Sequence, residues 1–302
     1  MKQENILNKK TRQLISKPKS KFQKVFKGRK LLIATKHQKE KVMAPLLQKG
    51  LGVECIVPEN FDTDVFGTFT GEVERKDDPV TTARNKCIMA MKLYDCDLGI
   101  ASEGSFGPHP SMFFAHADDE MLLFIDKKND LEIIARELST DTNFNGEEIK
   151  TEKQLKYFAK RMEFPTHGLI VRKAKEDNSD IIKGITDWEH LLNIFNQLLS
   201  KYGVVYVETD MRAMYNPTRM MVIEKATKKL VDKINSCCPQ CNAPGFGITD
   251  AKEGLPCNLC GSPTRSTLSY IYTCNKCSFT REEMYPHKKF NEKPTYCDYC
   301  NP

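Results

Sequence analysis

The chain has 302 residues, 40% hydrophobic and 28% charged, the balance of a soluble folded protein with room for one large core and a small module. No apolar run is long enough to cross a bilayer, and the first thirty residues lack an apolar centre, so neither a membrane-spanning nor a secreted protein is expected. The 12 cysteines are then read as thiols or metal ligands of a cytoplasmic protein rather than as disulfides.

Residues 1–30 read as a basic, poorly ordered leader. They hold eleven Lys/Arg against one acid, Glu4; with +6 overall, the remainder of the chain is acidic. A basic tail of this kind can hold nucleic acid or another anionic partner through phosphate neutralisation. Residues 30–35 form the first expected buried strand. The turn after it, Thr35-Lys36-His37-Gln38-Lys39, aims lysines and the amide groups of the next helix at an anion. That helix carries Val42, Met43, Leu46 and Leu47; Pro45 is expected to bend it or delay its start, and Gly50 and Gly52 to end it. A second short strand at 53–57 completes a βαβ opening, which implies a parallel or mixed sheet.

A loop dense in Asp, Gly and Thr spans 61–78, and Asp78-Pro79 signals the start of a helix. Arg84 and Lys86 lie near that start, where positive charge opposes the helix dipole unless an anion is close. The following stretch, 97–110, reads as a strand at Leu98–Ala101 that breaks at once into Ser102-Glu103-Gly104-Ser105. A carboxylate fixed at a strand end beside glycine suits a metal or phosphate site. A β-hairpin follows, with arms at 121–125 and 131–135, then a helix at 151–161 and strands at 166–171 and 180–182. A helix over 186–201, with Asp187 near its start, leads to a late strand at 203–207. Beyond it come Asp210 and Arg212, then Asn216-Pro217-Thr218-Arg219 opening a helix at 220–234. The planar forks of Arg212 and Arg219 match phosphate, and Asp210 serves either as a site acid or as a structural tie to an arginine. His167 is a weaker substrate-binding candidate, since a lone histidine is more often a satisfied structural group.

Thr82-Ala83-Arg84-Asn85-Lys86-Cys87, then Asp97, Ile100 and Glu103-Gly104, resemble the motifs of the inosine/xanthosine triphosphatase family, which hydrolyses non-canonical purine nucleoside triphosphates. The Ile33-Ala34-Thr35 turn and the Thr218-Arg219 helix are similar to that family's first turn and last helix. His37 stands where the family has Asn, Glu40 where it has Lys, and Ser105 where it has a second glycine. The likeness is scattered over 30–230 and implies a mixed sheet flanked by helices rather than a transferred activity. A closer likeness is to an uncharacterised bacterial domain family with this core and a cysteine-rich end.

That end is the most specific part of the sequence. Cys238/Cys241, Cys257/Cys260, Cys274/Cys277 and Cys297/Cys300 make four C-x-x-C knuckles within 63 residues. A two-residue spacer lets both sulfurs of a tight turn reach one tetrahedral ion, and thiolates favour zinc, with iron the alternative. Eight ligands make two closed, structural four-sulfur sites, and Cys237 is spare. Sequential pairing of neighbouring knuckles, or nesting of the inner pair within the outer, would both serve. The expected organisation is therefore an α/β core at 31–235 and a double zinc ribbon at 236–302. Ligands of such sheets bind beyond the carboxyl ends of the strands. Glu103, with Asp97 or Asp210, is expected to carry Mg²⁺ there, with Thr35, Lys36, Lys39, Arg84, Lys86, Gly104, Ser105, His167, Arg212 and Arg219 around a nucleotide. The competing expectation is an idle nucleotide or nucleic-acid reader, with the leader and ribbons holding the partner.

Overall fold

The computed structural model describes residues 23–58, 77–112 and 114–302; the leader up to 22 and most of the 61–78 loop lie outside them. The chain divides into two compact units, Gly28–Ile234 and Asn235–Pro302, the latter grouped with the segment ending at Lys27. No helix among the described residues is long and apolar enough to cross a membrane.

The larger unit contains two sheets, not the single sheet expected. The first has five strands in the order β2-β1-β3-β4-β5: β1 (Lys30–Ala34), β2 (Glu54–Ile56), β3 (Leu98–Pro108), β4 (His116–Asp126) and β5 (Leu131–Ser139). β1 runs parallel to β2 and β3, joined by helix α1 (Glu40–Leu51) and helix α2 (Pro79–Leu93), while β3, β4 and β5 form an antiparallel meander. Asp78 caps α2 as expected, accepting from the backbone N–H of Val80 and Thr81 at 2.9 and 3.1 Å. Gly52, at φ 71°, ends α1. Pro45 lies inside α1 and does not delay its start. Gly50 lies within the helix, where a Cβ would collide with the Val231 side chain.

The second sheet is antiparallel, in the order β6-β9-β7-β8: β6 (Gly146–Ile149), β7 (Leu169–Arg172), β8 (Ile182–Ile185) and β9 (Val205–Thr209). It packs on helices α3 (Glu152–Arg161) and α4 (Trp188–Tyr202) through Leu155, Phe158, Leu169, Val171, Leu191, Phe195 and Val207. Those residues recur at helix and strand periods, which is why the elements were visible in the sequence. Helix α5 (Pro217–Asn235) closes the unit.

One face of the first sheet packs Leu32, Ala34, Ala101, Met121 and Leu123 against Ala83, Cys87 and Ala90 of α2. β3 does not break at Ser102. It continues to Pro108, because Glu103 pairs with Met121 and Gly104 with Glu120 along an unbroken ladder. β1 stops at Ala34, opposite Ala101, so β3 projects past its parallel neighbour. That step positions the site.

In the smaller unit, β10 (Gly247–Glu253), β11 (Thr267–Thr273) and β12 (Thr280–Met284) form an antiparallel meander, with the four knuckles before, between and after the strands.

Candidate functional site

Past the end of β1, the carbonyl of Ser102 has no neighbouring strand on that side, and Lys86 of α2 donates to it at 3.3 Å. The same ammonium pairs with the Glu103 carboxylate. From the turn after β1, Lys39 donates to Ser102 Oγ at 2.9 Å. His37 and Gln38 take φ of 67° and 62° in that turn, the left-handed region that non-glycine residues seldom enter. Both lysines are buried, and burial lowers the Lys39 ammonium to about 8 even with Glu120 pulling the other way.

Side chains alternate along a strand, so the sheet divides the cluster. Glu103, in register with Met121, faces α2. Glu120 and Asp118 lie on the opposite face, where Arg219 of α5 donates from Nε to Glu120 Oε1 at 2.6 Å and from a terminal nitrogen to the Met211 carbonyl. Lys39 Nζ stands 3.8 Å from Glu120 Oε2. The Arg219 guanidinium also lies over the Phe106 ring, 5.0 Å from its centroid. Gly104 sits directly beneath: a Cβ there would collide with the Glu120 carboxylate and the Arg219 guanidinium, so only glycine admits this pair. Burial, then repulsion from Glu120, push the Asp118 carboxyl up to about 8.

Three separated segments thus meet here: Lys39, the Ser102–Gly104 stretch with Lys86, and Arg219. Thr35 is buried at the same turn, its hydroxyl donating to the Lys36 carbonyl at 2.9 Å; Lys36 is exposed. Other expected members go elsewhere. Asp97 precedes the opposite end of β3, exposed and paired with Arg29 at 2.9 Å, six residues or about 20 Å along the strand from Glu103. Arg84 lies on the surface, with both ends of its fork on Glu132 at 2.6 and 2.9 Å. Ser105 is exposed on the strand. Asp210 and Arg212 follow β9, a strand of the second sheet, and do not share the rim of the first. Asp210 is fully buried and accepts from Arg212 and from the Gly184 backbone N–H at 3.0 Å, so its carboxylate is committed to a structural tie. His167 is buried beside Thr218: its Nε2 accepts from the Thr218 N–H at 3.3 Å, which leaves the proton on Nδ1 facing Glu163. Burial lowers its pKa.

Asp118 and Glu120 were missed. The signal was present in the 116–126 strand: its alternation places both acids in phase with Leu122 and Phe124, at positions that should be core.

In the smaller unit the eight cysteines form two tetrads, each placed to bind a metal ion: Cys238/Cys241 with Cys274/Cys277, and Cys257/Cys260 with Cys297/Cys300. Neither sequential nor nested pairing occurs. Each strand of the meander carries the chain to the other end of the sheet, so the first and third knuckles share one end and the second and fourth the other. Sulfurs of partner knuckles lie 3.6–3.9 Å apart. Backbone N–H groups of Gln240 and Leu259 point at Cys238 and Cys257 sulfurs at 3.4 Å. Asn242, Gly261 and Ser278, each directly after the second cysteine of its knuckle, take positive φ and fold the knuckle back on itself.

No curated protein sequence matches this chain. A family defined by a domain of unknown function, DUF6671, matches residues 86–302. The matched span begins at Lys86 and takes in Glu103, Asp118, Glu120, Arg219 and all eight knuckle cysteines, while the turn after β1 precedes it. The match covers more than half of the chain, and the chain belongs to the DUF6671 family.

Proposed function

We propose that the α/β unit is a magnesium-dependent nucleoside triphosphate phosphohydrolase or pyrophosphohydrolase, carried with a structural double zinc ribbon. The observation that supports the reading is the meeting of Lys39, Lys86 and Arg219 with buried acids where β1 ends beside β3. Buried cations in a low-dielectric cluster suit a polyphosphate, because they stabilise the negative charge of the transferring group without reorganising. On this reading Glu103, oriented by its ion pair with Lys86, activates water at the same step in the sheet. The resemblance to the inosine/xanthosine triphosphatases points to purine triphosphates as the first substrates to try.

Zinc is the metal assigned to the tetrads. A tetrahedron of thiolates at Zn–S near ~2.3 Å has edges of about 3.8 Å, which agrees with the sulfur separations of 3.6–3.9 Å. With four thiolates per ion no position is left for water, so both sites are structural. Two such sites each carry −2 and lower the formal charge of the chain from +6 to +2, which weighs against the ribbon as a grip for nucleic acid.

One observation favours the competing reading, a non-catalytic nucleotide reader: Lys86, Arg84, Arg212 and Arg219 each have a carboxylate partner already. Release of phosphate or pyrophosphate from ITP, XTP and the common triphosphates, with and without Mg²⁺, separates the two. Turnover that disappears in Glu103→Gln supports the hydrolase. Nucleotide binding without turnover supports the reader, and indifference to every nucleotide overturns both.

A further inference from the structure

We infer that Asp118 and Glu120 of β4 form a divalent-cation site on the face of the first sheet turned away from α2. The inference rests on the phosphohydrolase reading only for the phosphate oxygens that would complete the ion's shell. Asp118 is wholly buried, and neither of its carboxylate oxygens has a hydrogen-bond or ion-pair partner. Glu120 gives one oxygen to Arg219, while Oε2 accepts no hydrogen bond and stands 3.8 Å from the Lys39 ammonium.

Protonation repairs this arrangement only in part. A carboxylate at Asp118 lacks donors on both oxygens, and a carboxylic acid sharing its proton with the unmet Oε2 of Glu120 still leaves its other oxygen without a donor. Leaving a buried polar group unmet is costly, so the missing partner comes from outside the polypeptide. The two residues are i and i+2 on one strand. Their side chains leave the same face about 7 Å apart at the backbone, a spacing from which two carboxylates can close on one hard ion. Glu103 does not compete for it: its carboxylate faces α2 and is neutralised by Lys86.

Lys39 and Arg219 beside these acids oppose a bare dication, which makes binding of the metal alone weak. Phosphate reverses the balance. Oxygens bridging the ion, Lys39 and Arg219 would supply the negative charge that the enlarged cluster lacks, and Mg²⁺ characteristically binds through one or two carboxylates plus substrate phosphates. Metal and triphosphate should therefore raise each other's affinity by the same factor.

Equilibrium dialysis of Mn²⁺ against the full zinc-loaded chain, with and without inorganic triphosphate, tests the site. The wild-type chain and Glu103→Gln are expected to retain one Mn²⁺ beyond the tetrads, more tightly with triphosphate, and Asp118→Asn to weaken retention at least tenfold. Asp118→Asn should melt close to wild type, because the amide matches the carboxyl in shape and no hydrogen bond to it is lost; if it misfolds, Asp118→Ser repeats the comparison. Equal retention by wild type and the folded Asp118 variant, or none by wild type in either condition, overturns the site and leaves a buried water as the partner. Retention without nucleotide turnover keeps the site and overturns the hydrolase. Turnover abolished by Glu103→Gln but untouched by Asp118→Asn does the reverse.

Discussion

Arg219 shows how one residue organises the buried cluster. Among the described residues it is the largest fully buried side chain, and it joins α5 to Glu120 of the first sheet and to the backbone carbonyl of Met211. Replacing it with methionine keeps the volume but strands Glu120 in the interior, and removal of one partner from a buried pair costs about 3–5 kcal/mol. Arg219→Met is expected to lower the urea midpoint of unfolding accordingly. Gly104→Ala acts on the same contact from the strand side. The new methyl must displace either the carboxylate or the guanidinium, at about 1–3 kcal/mol, and the loss should shrink when Arg219→Met is already present, a double-mutant cycle read in the same urea titration. His167 makes a prediction in pH. Its folded pKa lies below the ordinary 6.5, so the unfolded chain takes up the proton first as the solution is acidified. Its contribution is fully present above pH 6.5 and is lost as pH falls through that value toward the folded one. The urea midpoint of wild type should fall more steeply between neutral and mildly acidic pH than that of His167→Asn.

At the scale of elements, direction of travel decides what meets what. The three-strand meander of the ribbon reverses the chain at each hairpin, so cysteine knuckles alternate between its two ends. The pairing has a stoichiometric consequence. Cys241→Ser with Cys274→Ser damages one tetrad alone, and the protein should retain one metal ion per chain by elemental analysis. Cys241→Ser with Cys257→Ser damages both tetrads, and both ions should be lost or bound far more weakly. Sequential pairing would reverse the two results, and nesting would cost both ions in either variant, so the two double variants together separate all three arrangements. The same reasoning explains why β3 runs on through Glu103 and Gly104. A strand ends where its ladder ends, and β4 supplies partners as far as His116, although the composition Ser-Glu-Gly-Ser suggests a turn. Local propensity lost to pairing with a partner that is not local.

For the molecule as a whole, the two units are held by different forces. Gly28–Ile234 has extensive apolar cores of its own beneath both sheets. In Asn235–Pro302 the buried apolar cluster consists of Cys238, Ala243, Phe246 and Cys274, two of them members of the tetrads placed to bind a metal ion. With zinc in the tetrads, a unit with so small a core is expected to depend on the ions for folding, because the binding free energy of a structural metal is folding free energy. Treatment of the full chain with a strong chelator should therefore open the ribbon to protease while the α/β unit remains protected, as read by mass spectrometry of limited digests.

Much of this was legible from the residues. Periodicity gave the helices of the second sheet's layer through Leu191 and Phe195, Asp78 and Asp187 marked helix starts, and the two-residue cysteine spacing announced the metal sites, since all of these are short-range effects within one element. What remained hidden depends on residues distant in the chain: two sheets in place of one, Asp210 closed on Arg212 rather than on a ligand, the alternate pairing of knuckles, and the two acids at core positions of β4. The physical reason is that a local sequence sets the conformation and the facing of an element. Which charges become buried together, and which are left unmet, is set only when β4 pairs with β3 and α5 brings Arg219 down upon them.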